Sequence, residues 1–328
     1  MSHFLSEYGI FLAKIVTSLA AMLILIGFVA AITSKSKRKE KLIIRKLNDK
    51  YKNMRNILNR EILSKKDFKQ LVKEQKKHKK TLKKATEKEA KKRIFVLNFK
   101  GDIRASEVET LREAITAILK VATIKDEIVV RIESVGGMIQ SYGLAASQLQ
   151  RIRDRQIPLI AIIDKAAASG GYLMACVADQ VFAAPFAVIG SIGVVAQLPN
   201  FNRLLKKHDI EFEQITAGEY KRTLSLFGEN TNKGRKKMQE DVEEAHKLFK
   251  EFISVHRPSV NIEKLATGEH WYGSRAVELG LIDKLITSDD YLLKASDYAN
   301  LYEISYIIPK KKWSKLSSTI SSAISSFL

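Results

Sequence analysis

Short apolar runs alternate with helical patterns of hydrophobic residues in the part of the chain that follows residue 93. Ile94–Phe99, Ile128–Ile132 and Leu159–Ile163 are largely apolar and short, which is typical of buried strands. Glu107–Val121 and Ile139–Arg153 lie between them and repeat apolar residues at helical spacing. Strands and helices in alternation predict an α/β domain with a buried sheet.

The second half of this domain contains one long helical pattern and one very apolar stretch. Lys236–Val255 repeats apolar residues along one face and ends before Pro258, which predicts a long amphipathic helix. Tyr172–Leu198 is apolar enough to resemble a membrane span. Polar, proline and glycine residues interrupt it, at Asp179, Gln180, Pro185, Gly190 and Gly193. These interruptions predict a helix, a strand and turns inside the core instead.

The first apolar stretch, Ile10–Ile32, contains only three polar residues among its 23. A helix of that length spans about 34 Å, enough to cross a bilayer core of about 30 Å. A cleaved signal peptide needs a basic start and a small-residue cleavage site, whereas Met1–Gly9 contains no lysine or arginine and residues 30–32 fit such a site poorly. We therefore predict an uncleaved membrane anchor at residues 1–34.

Residues 35–93 carry most of the net charge of the chain. They contain 25 Lys/Arg and 7 Asp/Glu, so +18 of the total of +20 lies in this segment. The segment has neither Gly nor Pro, which predicts a basic helical stalk. A stripe at spacings of three and four residues indicates helix pairing and is formed by Ile44, Leu47, Tyr51, Met54 and Leu58.

The basic face of this stalk allows two interpretations. Beside a membrane span it predicts contact with anionic lipid, and otherwise it is an ordinary solvated surface. Nucleic-acid binding is not expected, because Tyr51 and Phe68 are the only aromatic residues in the segment and no binding motif is present.

The remaining composition limits the chemistry and divides the chain. A single cysteine, Cys176, excludes an intramolecular disulfide framework and multi-cysteine metal sites, and we expect it to be a small core residue. Residues 94–290 form the predicted α/β domain and residues 291–328 a C-terminal extension. Within this extension, Lys312–Leu328 repeats apolar residues along one helical face, which predicts contact with a second subunit or with the membrane interface.

Two glycine-rich turns follow predicted strands. Ser134–Gly137 precedes a helix, so its backbone N–H groups could bind an anion or an oxyanion, although a tight turn has the same composition. Ala166–Tyr172 places Ser169 between small residues at a strand-to-helix junction. This context suits an exposed nucleophile, and it also suits a helix-capping serine.

A nucleophilic serine needs a base. None of the six histidines lies in a motif-like context; they are His3, His78, His208, His246, His256 and His270. Lys221 is the other candidate, since it lies in a glycine-containing loop after an apolar segment. An exposed, solvated lysine is the ordinary alternative, and a lysine base must be held neutral and away from water.

Together these motifs resemble the signal-peptide-peptidase-type serine proteases of family S49. The resemblance covers about Ile94–Leu285 and the N-terminal anchor, and it rests on several motifs in one order. They are Ser134–Gly137, Ala167–Tyr172, Gly190–Val194, Gly218–Thr223, Trp271–Gly273 with Ala276, and Gly280–Asp283. Val135 stands where the family usually has proline, which loosens the first turn without removing an N–H donor.

The resemblance implies a Clp/crotonase fold of repeated ββα units behind a transmembrane helix and a helical stalk. It also implies a Ser–Lys dyad in which Ser169 is the nucleophile and Lys221 the general base. By the same resemblance Ser191 orients the lysine, and the N–H groups of Gly137 and Gly170 bind the oxyanion.

The implied function is a membrane-anchored serine endopeptidase that forms an acyl-enzyme. The expected substrates are peptides or membrane proteins, the expected assembly is a homo-oligomer, and no metal or other cofactor is expected. Two alternatives stay open, a crotonase-like acyl-CoA hydratase or isomerase and a non-catalytic membrane scaffold. The expected location is the inner (plasma) membrane, crossed once.

Two features of the sequence favour opposite sides of the membrane for the catalytic domain. The positive-inside rule favours a cytoplasmic catalytic domain because of Lys35–Lys41. The family resemblance favours the periplasmic side, which we take as the working expectation.

Overall fold

The computed structural model of the protein describes residues 8–22, 40–74 and 91–308. Contacts divide the chain into two compact units, and the larger one is Leu42–Tyr306. In the smaller unit, residues 8–22 belong to helix α1, and each of them is exposed.

Helices and strands alternate through the larger unit. In chain order they are β1 (Lys41–Lys46), α2 (Leu47–Ile62), α3 (described over 65–74), β2 (Arg93–Gly101), α4 (Val108–Leu119), β3 (Glu127–Ser134), α5 (Ile139–Arg153), β4 (Leu159–Ile163), β5 (Ala166–Ala168), α6 (Gly170–Ala175), β6 (Gln180–Ala183), β7 (Val188–Gly190), α7 (Asn202–Lys207), α8 (Asn232–His256), α9 (Ile262–Leu265), β8 (His270–Tyr272), α10 (Gly273–Glu278), β9 (Lys284–Leu285), α11 (Ser288–Tyr298) and β10 (Asn300–Ile307).

The strands form one mixed sheet in the order β1-β10-β2-β3-β4-β6-β9. β3 continues past β4 and pairs through Ser134 with Ala167 of β5, and β5 pairs with β7. The pairings among β2, β3, β4, β5, β6, β7, β9 and β10 are parallel, whereas β8 runs antiparallel to β7. The predicted α/β class is therefore confirmed.

The apolar runs of the strands are continuous because both faces of the sheet are covered. In β2, Phe95, Leu97 and Phe99 belong to the larger apolar cluster, which includes residues of α4, α5 and α6. Ile94 and Val96 point to the opposite face, where Leu292 of α11 and Leu47 of α2 cover them. Alternate side chains of β2 therefore pack against helices on opposite faces, and the sheet is the middle layer of three.

The basic segment differs from the predicted stalk at Lys41–Lys46, which forms a strand beside β10. The following helix α2 is tied to the domain because Asn48 Nδ2 donates to the carbonyl oxygens of Ser296 and Ala299 at 3.1 and 2.9 Å. Leu47 of the predicted stripe is 4% exposed in the core, whereas Met54 is 54% exposed. Leu47 of this stripe therefore covers the sheet, an interaction that the periodicity did not predict.

The described parts of the chain contain no helix that is both long and apolar enough to span a bilayer. Residues 23–32 of the predicted anchor lie outside the described residues, and so does the apolar face predicted within residues 312–328. Inside the domain, Tyr172–Leu198 contains α6, β6 and β7, so the prediction of a core helix, strand and turns is confirmed there.

Candidate active site

Three parallel strand ends bring the predicted serines and the first glycine turn together. Ser134 pairs with Ala167, and one residue later Ala168 pairs with Gly190. The residues that follow these pairs are the turn Val135–Gly137, Ser169 and Ser191. Because carboxyl ends of parallel strands meet at one edge of a sheet, these three features are neighbours. The N–H of Ser169 donates to the carbonyl oxygen of Gly190 at 2.7 Å and fixes this arrangement.

Both serines have backbone conformations that non-glycine residues rarely adopt. Ser169 has φ 50° and ψ −120°, between strand β5 and helix α6. Ser191 has φ 52°, and its N–H donates to the carbonyl oxygen of Glu269 at 2.6 Å. A serine at a sharp strand-to-helix turn presents its hydroxyl at the end of the sheet, and strain of this kind persists where the surrounding packing enforces it.

A cavity of about 970 Å³ opens beside these residues. Ser169, Ser191, Gly137 and Gly170 all line it. Its wall is otherwise largely apolar and includes Ile139, Leu173, Val194, Leu248, Phe249 and Phe252. A cleft of this volume with few polar groups is typical of a ligand or substrate site.

Two backbone donors in the cavity wall are free. Among the described residues, neither the N–H of Gly137 nor that of Gly170 makes a hydrogen bond. Side chains are excluded at both positions, since a Cβ on Gly137 would lie 2.1 Å from the carbonyl oxygen of Ile103. A Cβ on Gly170 would lie 2.4 Å from Cγ of Tyr142. The two N–H groups are therefore available to a negatively charged oxygen bound near Ser169.

Lys221 is not brought to this site. It is exposed and is absent from the described lining of the cavity. Residues 209–222 are all exposed and contain no helix or strand, so no packing directs the amine toward Ser169. The local contacts are a turn in which the Lys221 N–H donates to the Gly218 carbonyl oxygen at 3.1 Å, and an ion pair between Glu219 and Lys233.

One histidine lines the cavity although no motif indicated it. His246 lies on α8, three residues before Phe249, and its Nε2 is buried without a hydrogen bond. The signal available in the sequence was this helical spacing, because residues three apart share a face. His256 on the same helix is occupied elsewhere, with the Phe252 carbonyl oxygen and Gln150 Oε1 at 2.8 and 2.7 Å.

The cysteine takes no part in the cavity. Cys176 is fully buried, its thiol donates to the carbonyl oxygen of Leu173 at 3.3 Å, and burial raises its pKa. A raised pKa disfavours the thiolate that would be the reactive form. The prediction of a small core residue is confirmed.

Comparison with known proteins gives the same family as the motifs. Residues 3–149 match the model of the peptidase family S49 N-terminal region, and residues 151–302 match the model of peptidase family S49. A Haemophilus influenzae protein named "Probable protease SohB" is 46% identical over 94% of this chain and 91% of its own length. A protein of the same name from Buchnera aphidicola subsp. Acyrthosiphon pisum is 48% identical over 99% of this chain and 97% of its own. The resemblance seen in the motifs is confirmed.

Proposed function

The chain belongs to peptidase family S49, and on that premise we propose that it is a membrane-anchored serine endopeptidase. The observation that carries the serine-type assignment is the position of Ser169. It lies at a strained turn in a cavity wall that also contains the two unused N–H groups of Gly137 and Gly170.

In the proposed reaction Ser169 Oγ attacks the carbonyl carbon of the scissile peptide while neutral Lys221 accepts the hydroxyl proton. The carbonyl oxygen becomes an oxyanion that the N–H groups of Gly137 and Gly170 stabilise, and one such donor contributes about 3 kcal/mol. The lysine then protonates the departing amine, and the acyl-enzyme remains. Water attacks the acyl carbon while Lys221 takes its proton, and Lys221 then gives this proton to Ser169 Oγ as the ester bond breaks. The carboxylic acid leaves, and neutral Lys221 and the Ser169 hydroxyl are restored.

Lys221 must approach the cavity for this reaction. The exposed segment 209–222 therefore packs against the cavity in the active form, either within one chain or from a neighbouring copy. The Ser191 hydroxyl lines the same cavity and is a hydrogen-bond partner for the arriving amine. A homo-oligomer would supply the surface that this segment lacks.

The apolar cavity wall supports substrates with apolar segments, such as peptides from membrane proteins. The predicted anchor within Ile10–Ile32 and the basic segment 35–93 support attachment to an anionic bilayer. The proposal places the catalytic domain on the periplasmic side because the family resemblance implies it, against the positive-inside rule. Flotation of the full chain with vesicles of neutral or partly anionic lipid tests this attachment. Recovery in the unbound fraction with both vesicle types contradicts it.

The decisive experiment combines labelling with complementation. A fluorophosphonate should label the full chain at Ser169, and Ser169→Ala should abolish both labelling and hydrolysis of an apolar peptide. Mixing Ser169→Ala with Lys221→Ala should restore activity if a neighbouring copy supplies the lysine, and should leave it absent if each chain uses its own. Hydrolysis that persists in Ser169→Ala contradicts the proposed function, and Ser169→Cys serves as a matched control for folding.

A further inference from the structure

A chain of hydrogen bonds beside the first glycine turn is not used by the mechanism above. The Gly136 N–H donates to Ser134 Oγ at 3.1 Å, and the Tyr142 hydroxyl donates to the carbonyl oxygen of Asp102 at 2.7 Å. The two hydroxyl oxygens are 2.5 Å apart. A tyrosine hydroxyl has one proton, which Asp102 receives here, so Ser134 donates to Tyr142. The direction of every bond in the chain is thereby fixed.

This chain of hydrogen bonds lies in a closely packed interior. Ser134 is 3% exposed and Tyr142 0%. A Cβ on Gly101 would lie 2.3 Å from the Tyr142 hydroxyl and 2.4 Å from Ser134 Oγ, so backbone packs directly against both oxygens. Hydrogen bonds shielded from water polarise one another, and loss of one partner leaves the others buried and unsatisfied. The arrangement is therefore rigid.

The end of this chain of hydrogen bonds, at Asp102, is also fixed. The Asp102 carboxylate accepts hydrogen bonds from the N–H and the hydroxyl of Ser106, both at 2.8 Å, and these bonds hold its pKa below the ordinary range. The neighbouring carbonyl oxygen of Ile103 accepts the N–H of Met138 at 2.8 Å. The Tyr142 hydroxyl is therefore anchored to a loop that holds both ends of the glycine turn.

Tyr142 contacts one of the proposed oxyanion donors directly and is linked to the other by hydrogen bonds. Its ring packs against Gly170, where an added Cβ would lie 2.4 Å from Cγ of the ring. Its hydroxyl reaches the other donor through Ser134, which holds the N–H of Gly136, the neighbour of Gly137. One side chain thus connects two donors that follow different strands of the sheet, Gly137 after β3 and Gly170 after β5.

We propose that Tyr142 and Ser134 are positioning residues that align the N–H groups of Gly137 and Gly170 on the oxyanion. This inference rests on the proposed function. Neither hydroxyl needs to touch the substrate, because the chain of hydrogen bonds acts through the backbone of the first glycine turn. Misplacement of a reacting or stabilising group by a fraction of an ångström lowers a rate substantially, whereas it has little effect on substrate binding.

The test uses Tyr142→Phe in the full chain, which keeps the ring against Gly170 and removes the hydroxyl. We expect kcat for peptide hydrolysis to fall about tenfold with KM within about twofold. A peptide aldehyde, which forms a tetrahedral adduct with the serine, should bind more weakly by the same factor as kcat/KM falls. Ser134→Ala should give a similar loss, and the double variant should lose little more than either single variant because both interrupt one chain. Ser134→Thr retains a hydroxyl and should recover most of the rate.

Tyr172→Phe is the matched control, since Tyr172 is equally buried. Its hydroxyl donates to the Leu281 carbonyl oxygen at 2.8 Å, which is not part of the chain of hydrogen bonds around Tyr142. It should lower the melting temperature without changing kcat or the aldehyde affinity. Unchanged kcat and aldehyde affinity in Tyr142→Phe and Ser134→Ala overturn the positioning role while leaving the proposed function intact. Activity in Ser169→Ala overturns the proposed function itself. If Tyr142→Phe does not fold, Ser134→Ala and Ser134→Thr decide the question.

Discussion

The two residues of the proposed dyad lie in regions of opposite character. Ser169 is held between β5 and α6, and its N–H donates to the carbonyl oxygen of Gly190. A Cβ added to Gly136 would lie only 2.7 Å from the Cβ of Ser169. Lys221 lies in a segment where every residue from 209 to 222 is exposed. There the nearest atom to an added Cβ on Gly218 is 4.0 Å away.

This difference separates two ways of building an active site. The proposed nucleophile and oxyanion donors are placed by the core of the sheet, so their geometry exists before substrate arrives. The proposed base, Lys221, is placed by no packing among the described residues, so in the proposed mechanism its position depends on a further contact. Assembly or substrate binding can therefore control the activity without any change at Ser169.

The largest expected effect comes from removing either residue of the dyad. Ser169→Ala and Lys221→Ala should each lower kcat by more than about 10³-fold, because the two groups act as a unit. The double variant should be little slower than the single ones. Circular dichroism and the melting temperature of Lys221→Ala should match the parent protein, since the Lys221 side chain is exposed. Residual activity above a few per cent in Lys221→Ala contradicts the role of this lysine.

The pH dependence separates a lysine base from a histidine. Hydrolysis should rise with pH, about tenfold for each unit, while the base that accepts the Ser169 proton becomes neutral, and then level off. Ser191→Ala should lower the rate and displace this profile, because it removes a partner of the amine. His246→Gln is the control, since His246 is the described histidine that lines the cavity. Loss of the pH dependence in that variant indicates a histidine base.

A pair of glycine substitutions compares the packing of the two regions directly. Gly136 and Gly218 have similar positive φ values, 92° and 95°. An alanine at Gly136 would also meet Gly170 N at 2.8 Å and the Ala168 carbonyl oxygen at 2.9 Å, whereas Gly218 has open space. Gly136→Ala should cost about 3 kcal/mol or more, and Gly218→Ala about 1 kcal/mol from backbone strain alone. Equal losses in denaturant unfolding contradict the difference in packing.

The sequence predicted the elements whose patterns are local. Helix α5 has the predicted bounds Ile139–Arg153, and β4 the predicted bounds Leu159–Ile163. Strand β1 was not predicted, because Lys41–Lys46 consists mostly of residues that also suit a helix. Its strand conformation depends on pairing with β10, more than 250 residues later in the chain, which no local pattern contains.

The candidate site also has residues that local motifs predicted and others whose position depends on the tertiary structure. Ser169, Ser191, Gly137 and Gly170 were predicted from motifs, and the structure brings them to one cavity because each motif follows a strand of one sheet. The place of Lys221 was not predictable, since no strand or helix fixes its loop. The contact of Tyr142 with Gly170 was also missed, because helix position 142 has no motif and its role depends on tertiary packing.

The smallest expected effect concerns acid stability, where a carboxylate in each region has a lowered pKa. Asp126, before β3, is 3% exposed and accepts hydrogen bonds from Arg93 at 2.6 and 2.7 Å and from Thr123. Burial raises the pKa of Asp126, but these bonds outweigh burial and hold it below its ordinary value. Glu229 lies exposed beyond the Lys221 loop, and a hydrogen bond and ion pair with Lys206 lower its pKa.

A lowered pKa stabilises the folded state above the ordinary carboxyl pKa of about 4, and that contribution is lost as the pH falls through the folded pKa. Asp126→Asn should therefore destabilise the protein at pH 7 by about 1–3 kcal/mol and flatten the stability curve on its acid side, below the ordinary carboxyl pKa. Glu229→Gln should change neither the stability at pH 7 nor the acid side of the stability curve, because solvent screens an exposed ion pair. Chemical unfolding at a series of pH values measures both. An unchanged acid limb in Asp126→Asn, or a flattened one in Glu229→Gln, would show that the acid sensitivity does not follow the packing of the two regions.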